Sequence, residues 1–538
     1  MAAYRIHQIA GLSLFLIAAI VYGLTVEPTA SFWDCSEFIA ASYKLQIPHP
    51  PGPPIFLLLG RLFSMFAVDE SSVALAVNWL SVVSSAATIM FMYWTVVMLA
   101  QNLTTDTFAQ ALIAMVSAMS FAFTDTFWFS AVEAEVYALS LFFMSISFWA
   151  ILKWEKIEEP GRANQWLIFI AYLIGLSIAV HPLSLLTLPS IALVYYFKRF
   201  KYSHWGLVGA LLAGGGLLIF TMYGLRVGIV SLITQLEMFF VNGLDFPFAS
   251  GALVGVAVLV GGMIYLLSKT QSKFKVELNT MLLCLCFLSI GYGSYSLILI
   301  RSAKDPLIDM NNPENLPNFI FYLDMLQYGT RPLVYGEHFD AKVTGQSDGQ
   351  KIYRKTDRRY ELADVMPTYQ YDARDLTLFP RMYSAREDHK QAYRQIMELT
   401  NGRKPSMADH IQYFVKHQLG YQYLRYFLWN FSGRESDVQG AGWITPVAQK
   451  NNLPFSLRRN KGRNNYWMLP LIMGILGAFY LSRKSTQSFV PVMMLFVMTG
   501  IALVIYVNAP PTEPRERDYI YVGSFYAFAL TIGFGALL

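Results

Sequence analysis

Long apolar runs separated by short polar loops set the pattern of this chain. A segment that crosses a bilayer needs about 20 consecutive apolar residues, and about twelve stretches approach that length. They are 8–26, 73–100, 108–124, 135–153, 166–180, 183–197, 206–223, 250–268, 278–299, 466–481, 488–507 and 519–538. The pattern predicts an all-α polytopic membrane protein. The stretch 54–68 is too short to span and carries Arg61, so it reads as an interfacial or re-entrant helix. Residues 300–465 break the pattern, being rich in Asp, Arg, Tyr and Gln. They predict a small soluble domain with helices over Ala385–Leu399 and Met407–Trp429. The chain thus divides into a transmembrane module at 1–299 with a polar first loop at 27–72, a soluble segment at 300–465, and membrane helices at 466–538. The last run reaches Leu538 without a polar flank, which predicts further sequence beyond it.

Composition agrees. The 538 residues are 55% hydrophobic and 14% charged, well below the roughly 25% charge of a soluble protein. The run from Ile9 to Val26 lacks a small-residue cleavage pattern and reads as a retained helix. Cys35, Cys284 and Cys286 form no disulfide framework and no metal-ligand spacing, so neither a metal nor another cofactor is expected. With a net charge of +5 and no dense basic cluster, a nucleic-acid partner is not expected.

Lys and Arg in short loops set orientation. With the N-terminus inside, the inner loops hold Lys153, Lys156 and Arg162; Lys198, Arg199 and Lys201; Lys269, Lys273 and Lys275; and Arg483 and Lys484. The loop after the first span, the Glu133 loop, His181 and residues 508–518 then converge on the non-cytoplasmic face. The large soluble segment shares that face.

Ionisable residues at a membrane mouth are costly and usually mark a site. Asp34 and Glu37, three apart, share one face of a helix if the segment is helical. A carboxylate there is a candidate general base; the competing reading is an acidic helix start. His49, in Pro48-His-Pro-Pro-Gly-Pro-Pro54, is held by a stiff turn. It suits phosphate binding or a simple turn cap. Glu133 and Glu135 lie where a span begins, and either line the site or cap that helix. His181, before Pro182, breaks two short spans, where a lone His is more often structural. Arg515 and Arg517 suit bidentate phosphate binding, unless Glu513, Glu516 and Asp518 pair with them. Arg301 with Lys304 is a second cationic candidate.

The order of membrane helix, acidic outer loop, His-Pro-Pro turn, amphipathic helix and many spans resembles the class C (GT-C) glycosyltransferases. A closer likeness is carried by Phe32-Trp-Asp-Cys-Ser-Glu-Phe38, His49-Pro-Pro-Gly52, Val132-Glu-Ala-Glu-Val-Tyr137, Gln327-Tyr-Gly-Thr-Arg-Pro-Leu-Val-Tyr-Gly336 and Pro514-Arg-Glu-Arg-Asp-Tyr-Ile-Tyr-Val-Gly-Ser-Phe-Tyr526. These are similar to a bacterial membrane family of formerly unknown function, related to an animal transmembrane protein O-mannosyltransferase. The likeness runs from residue 20 to the chain end. It implies a GT-C-like helix bundle in the bacterial inner membrane with its site facing the periplasm. It further implies inverting transfer of a hexose, mannose by the same likeness, from a polyprenyl phosphate to a Ser or Thr of an exported protein. Asp34 would then be the base and Glu37 its helper, with His49, Glu133, Glu135, His181, Arg301, Arg515 and Arg517 around donor phosphate or substrate. One departure stands out: the classical protein O-mannosyltransferases carry adjacent Asp-Glu in this loop, and here two residues intervene. The competing function is a transporter or flippase of a lipid-linked or anionic solute, for which internal repeats and mid-membrane charges are expected. A non-catalytic scaffold would not need the acidic loop.

Overall fold

The computed structural model describes residues 2–271, 275–400, 402–446 and 453–537. Lys273 and Leu538, used above, lie outside them. The first half of the chain forms α1 (Ala2–Leu24), α2 (Asp34–Lys44), α3 (Pro54–Ser64), α4 (Val73–Ala100), α5 (Thr107–Ala122), α6 (Asp125–Ala131), α7 (Val136–Glu155) and α8 (Pro160–Ile178). Of these, α4 is the axis of the bundle. It packs against α1, α3, α5 and α7, and most of its residues are buried.

Eight helices among the described residues are long and apolar enough to cross a membrane, and the bent α5–α6 pair (71°) makes up to nine. The shortfall from the expected twelve has local causes. The stretch expected at 166–180 becomes α8, whose first turns carry Arg162, Asn164 and Gln165. The stretch 183–197 is split by a short 3-10 turn at Pro182–Thr187 before a helix at Leu188–Arg199. The stretch 466–481 yields a helix of only 16 residues, Leu469–Lys484. Conversely, the stretch expected at 206–223 does not end there. It continues as one helical run from His204 to Gly243 through two widened π-turns. Helix α3 is short and apolar, with 11 residues.

The expectation of an all-α chain is corrected in the soluble segment. There β1 (Tyr335–Glu337) pairs antiparallel with β4 (Leu376–Leu378), and β2 (Val343–Lys355) pairs antiparallel with β3 (Tyr360–Tyr371). The β2–β3 ribbon is wet on both faces, so its residues lack the apolar alternation that betrays a strand. The helical expectations there match helices at Glu387–Met397 and across 407–431.

The polar first loop is fixed at several points. Asn78 of α4 donates to the carbonyls of Glu27 (2.6 Å) and Thr29 (3.0 Å). Ile47 forms a parallel bridge with Asp309. The turn at 48–54 rests on Tyr322, whose hydroxyl donates to the carbonyl of Pro48 at 2.6 Å. Gly52 has φ +66, and a Cβ there would lie 2.4 Å from the Tyr322 hydroxyl. Both the backbone sign and the close approach require glycine.

Candidate active site

Helix α2 begins at Asp34, so Asp34 and Glu37 occupy its first turn. There carboxylates oppose the positive end of the helix dipole. The preceding Trp33 has φ 69, a costly conformation for a bulky aromatic and one that clusters at functional sites.

The two carboxylates reach different partners. Asp34 Oδ2 accepts from Arg515 Nη2 at 2.9 Å, and its side chain stays 42% exposed. Arg515 also donates from both Nη atoms to Glu135 Oε1 at 3.3 Å, and from Nε to the Tyr519 hydroxyl at 3.1 Å. The rings of Trp33 and Tyr519 flank its guanidinium, 5.5 and 4.6 Å from their centroids. One guanidinium thus joins the first loop, the α6–α7 connection and the 508–517 loop.

Glu135 is only 3% exposed. Burial pushes its carboxyl up to about 8, against the pull of Arg515. It immediately precedes α7 yet makes no capping bond to that helix. Its Oε2 is buried without a partner. Glu133 accepts from the Ser31 hydroxyl at 2.8 Å and is likewise raised by burial. Cys35 completes a buried group: one ligand atom each from Cys35, Glu133 and Glu135 lies within 4.8 Å of the others. Burial, then both glutamates, holds the Cys35 thiol protonated. The three have metal-compatible spacing, although Glu135 already spends one oxygen on Arg515. Sequence reading passed over Cys35 because no second cysteine or histidine stands near it in the chain.

Glu37 turns instead to the His-Pro-Pro turn. It accepts from His49 Nδ1 at 2.6 Å and from the His49 backbone N–H at 2.8 Å. Burial would raise Glu37, but these bonds and the imidazolium charge outweigh it, and its carboxyl lies below the usual range. Burial would lower His49, but Glu37 first, then the Asp34 and Glu135 charges, hold it above 6.5. The sign follows. The raised His49 contributes stability fully below its ordinary pKa, lost as pH rises through the raised value. The lowered Glu37 contributes above its ordinary pKa, lost as pH falls through the depressed value. The loop should therefore be most stable between those limits. Glu37→Gln should abolish both limbs and lower the His49 pKa. Titrating His49 by NMR in both proteins tests this; an unmoved His49 refutes the ion pair. The pair is part-buried, its side chains 28% and 25% exposed, so solvent screening keeps the gain modest.

The remaining candidates divide. His181 lies within reach of the His49 and Arg226 charges; burial, then those charges, pushes it down to about 4. Its Nδ1 accepts from the Leu183 N–H at 3.2 Å, capping the 3-10 turn, and its ring packs on Tyr137. Arg517 pairs with Glu513 at 2.7 Å within its own loop. Arg301 donates to the carbonyls of Leu45 and Lys44. It therefore sits at the far end of α2 from Asp34, about 15 Å along the axis.

The loop that carries Arg515 is itself braced. Arg425 holds Glu516 through two bonds, 2.8 and 3.2 Å. Gln418 and Gln422 donate to the carbonyls of Ala509 and Pro510. Asn508 donates to Pro332 and Pro380 of the soluble segment. Beside Arg515 opens a cavity of about 210 Å³ lined by Tyr421, Tyr426, Gln439, Glu513 and Arg517, among others.

The arrangement is a solvent-reachable carboxylate beside a clamped guanidinium at one end of a membrane bundle. Part of the chain is similar to known proteins. Residues 34–204 match the protein O-mannosyl-transferase TMEM260 N-terminal domain, and residues 329–415 match a family of unknown function (DUF8416). The chain is related to the protein O-mannosyl-transferase tmem260 of Dictyostelium discoideum, at 27% identity over 187 residues, 33% of this chain. It is similarly related to the protein O-mannosyl-transferase TMEM260 of Mus musculus, at 27% over 166 residues, 31% of this chain. In both cases the match spans 22% of the relative's length. No solved structure matches the chain.

Proposed function

We propose that this protein is an inverting glycosyltransferase with a GT-C-like bundle. In this reading it moves a hexose, mannose by analogy with its relatives, from a polyprenyl-phosphate carrier to a Ser or Thr hydroxyl of an exported protein. The site faces the periplasm of a bacterial inner membrane. The observation that carries the reading is the shared guanidinium of Arg515, which touches both the exposed Asp34 and the buried Glu135.

Asp34 takes the proton from the acceptor hydroxyl. The acceptor oxygen bonds to the sugar C1 from the face opposite the carrier. The bond from C1 to the phosphate oxygen breaks, and its electron pair leaves with the lipid phosphate. Charge grows on that phosphate, where preorganised cations lower the barrier; in this reading Arg515 and a protonated His49 take that role. As the phosphate draws on Arg515, Asp34 is released from its ion pair and gains basicity. Glu37 positions His49. His181 and Arg517 line the site as neutral and internally paired groups. Arg301 serves the site only by capping α2.

The test is transfer from polyprenyl-phosphate mannose to a Ser/Thr peptide by the full chain in proteoliposomes. Because Arg515 and His49 supply the cations in this scheme, transfer should survive chelation with EDTA. Loss on chelation with recovery on adding Mn²⁺ or Mg²⁺ would move the cationic role to a metal at Cys35, Glu133 and Glu135. Absence of transfer with intact folding would sink the reading. The transporter alternative is not favoured by the kinship to transferases, nor by ionisable groups gathered at one end of the bundle.

A further inference from the structure

The β2–β3 ribbon ends in a basic turn anchored against the membrane helices. Lys351, Arg354, Lys355, Arg358 and Arg359 are all exposed, against Asp357 and Glu361 as the nearest carboxylates in the turn. One of these cations is partly answered: Arg359 meets Glu361 at 3.3 Å on the surface. A cationic turn is ordinarily just solvated, but this one is tied down. Asn242 donates to the Tyr360 carbonyl at 2.7 Å and accepts from the Tyr360 N–H at 2.9 Å. The Tyr360 ring packs edge-on against Phe248, 5.1 Å between centroids. Lys355 lies 4.9 Å over the same Phe248 ring.

Those anchors join two long apolar helices, His204–Gly243 and Ser250–Thr270, of which the second is 11% buried by protein. Nearly all of it is exposed, as an apolar helix facing lipid would be. Phe239, Leu244, Phe246 and Leu253 are exposed around the connection and form an apolar surface next to the turn. The Asn242–Tyr360 bonds thus hold the cationic turn beside this apolar surface. It is on the same face as Asp34, since its domain is bonded to the 508–517 loop.

We propose that the β2–β3 turn is a docking surface for anionic phospholipid headgroups. Their phosphates sit among Arg354, Lys355, Arg358 and Arg359 and fix the soluble segment over the bilayer. Such attraction fades within a Debye length of about 8–10 Å, so it requires the proximity that the Asn242–Tyr360 bonds supply.

The full chain is placed in nanodiscs of phosphatidylcholine, alone or mixed with phosphatidylglycerol. Amide hydrogen exchange is followed over 343–371. Phosphatidylglycerol should slow exchange there, on the order of fivefold for each cation engaged. The effect should vanish in the R354Q/K355Q/R358Q/R359Q variant and in high salt. Unchanged melting of that variant in phosphatidylcholine confirms its fold; should it melt lower, single substitutions should each remove part of the slowing. Equal exchange in both bilayers overturns the proposal. So does slowing that survives the substitutions, or slowing that inorganic phosphate alone reproduces in phosphatidylcholine.

Discussion

Transfer by Asp34→Asn should fall by roughly 10²–10⁴-fold, the range by which a positioned general base contributes. Asparagine keeps the size of the side chain and an oxygen that can still accept from Arg515. It lacks a lone pair basic enough to take a hydroxyl proton. The Asp34 side chain is 42% exposed and paired to Arg515. Removing its charge should therefore cost little stability, as for most exposed ion pairs. The loss should fall on kcat at saturating donor, with donor affinity held or improved because Arg515 is freer. Asp34→Glu should retain part of the activity. Radiolabelled transfer and a melting curve on the same preparation check this. Activity within tenfold of wild type would move the base elsewhere, with Glu37, Glu133 and Glu135 next in line.

Much of this site could be read before the fold was known. The end of an apolar run marks a membrane mouth, and counting spans places loops on alternate sides. That reasoning brings Asp34, Glu135 and Arg515 to one face, and the structure brings them within hydrogen-bonding distance. They meet although fewer helices than expected are long and apolar enough to cross a membrane among the described residues. The shared position of Asp34 and Glu37 on one turn suggested a pair acting together. Spacing along a helix says nothing about what lies across from it, however. The turn at 48–54 folds back and claims Glu37 for His49. Likewise, Arg301 is a phosphate candidate in sequence because it stands with Lys304 just after an apolar span. Only tertiary structure supplies the α2 carbonyls that occupy it. The β2–β3 ribbon was illegible for a different reason: with both faces wet, burial leaves no imprint on its sequence.

Arg515→Lys should reduce transfer by about 10²–10³-fold, the cost of losing one preorganised donor to developing charge. The charge survives this change; the planar fork does not. Lysine cannot bond Asp34, Glu135 and Tyr519 together as the guanidinium does. Arg515→Met should cost more, and in stability as well. Glu135 is already raised to about 8 with Arg515 beside it. A carboxyl raised on folding takes up protons relative to the unfolded chain, so stability falls as pH climbs from its ordinary value through the raised one. Without the guanidinium the raised value moves higher still, and the methionine variant should lose stability over a wider alkaline range than wild type. Adding Glu135→Gln to it should restore alkaline stability without restoring transfer. That double variant separates the two duties of Arg515, neutralising a buried glutamate and receiving the leaving phosphate. If it recovers transfer as well, the guanidinium acts only as a structural counter-ion, and the leaving group must be met by His49 alone.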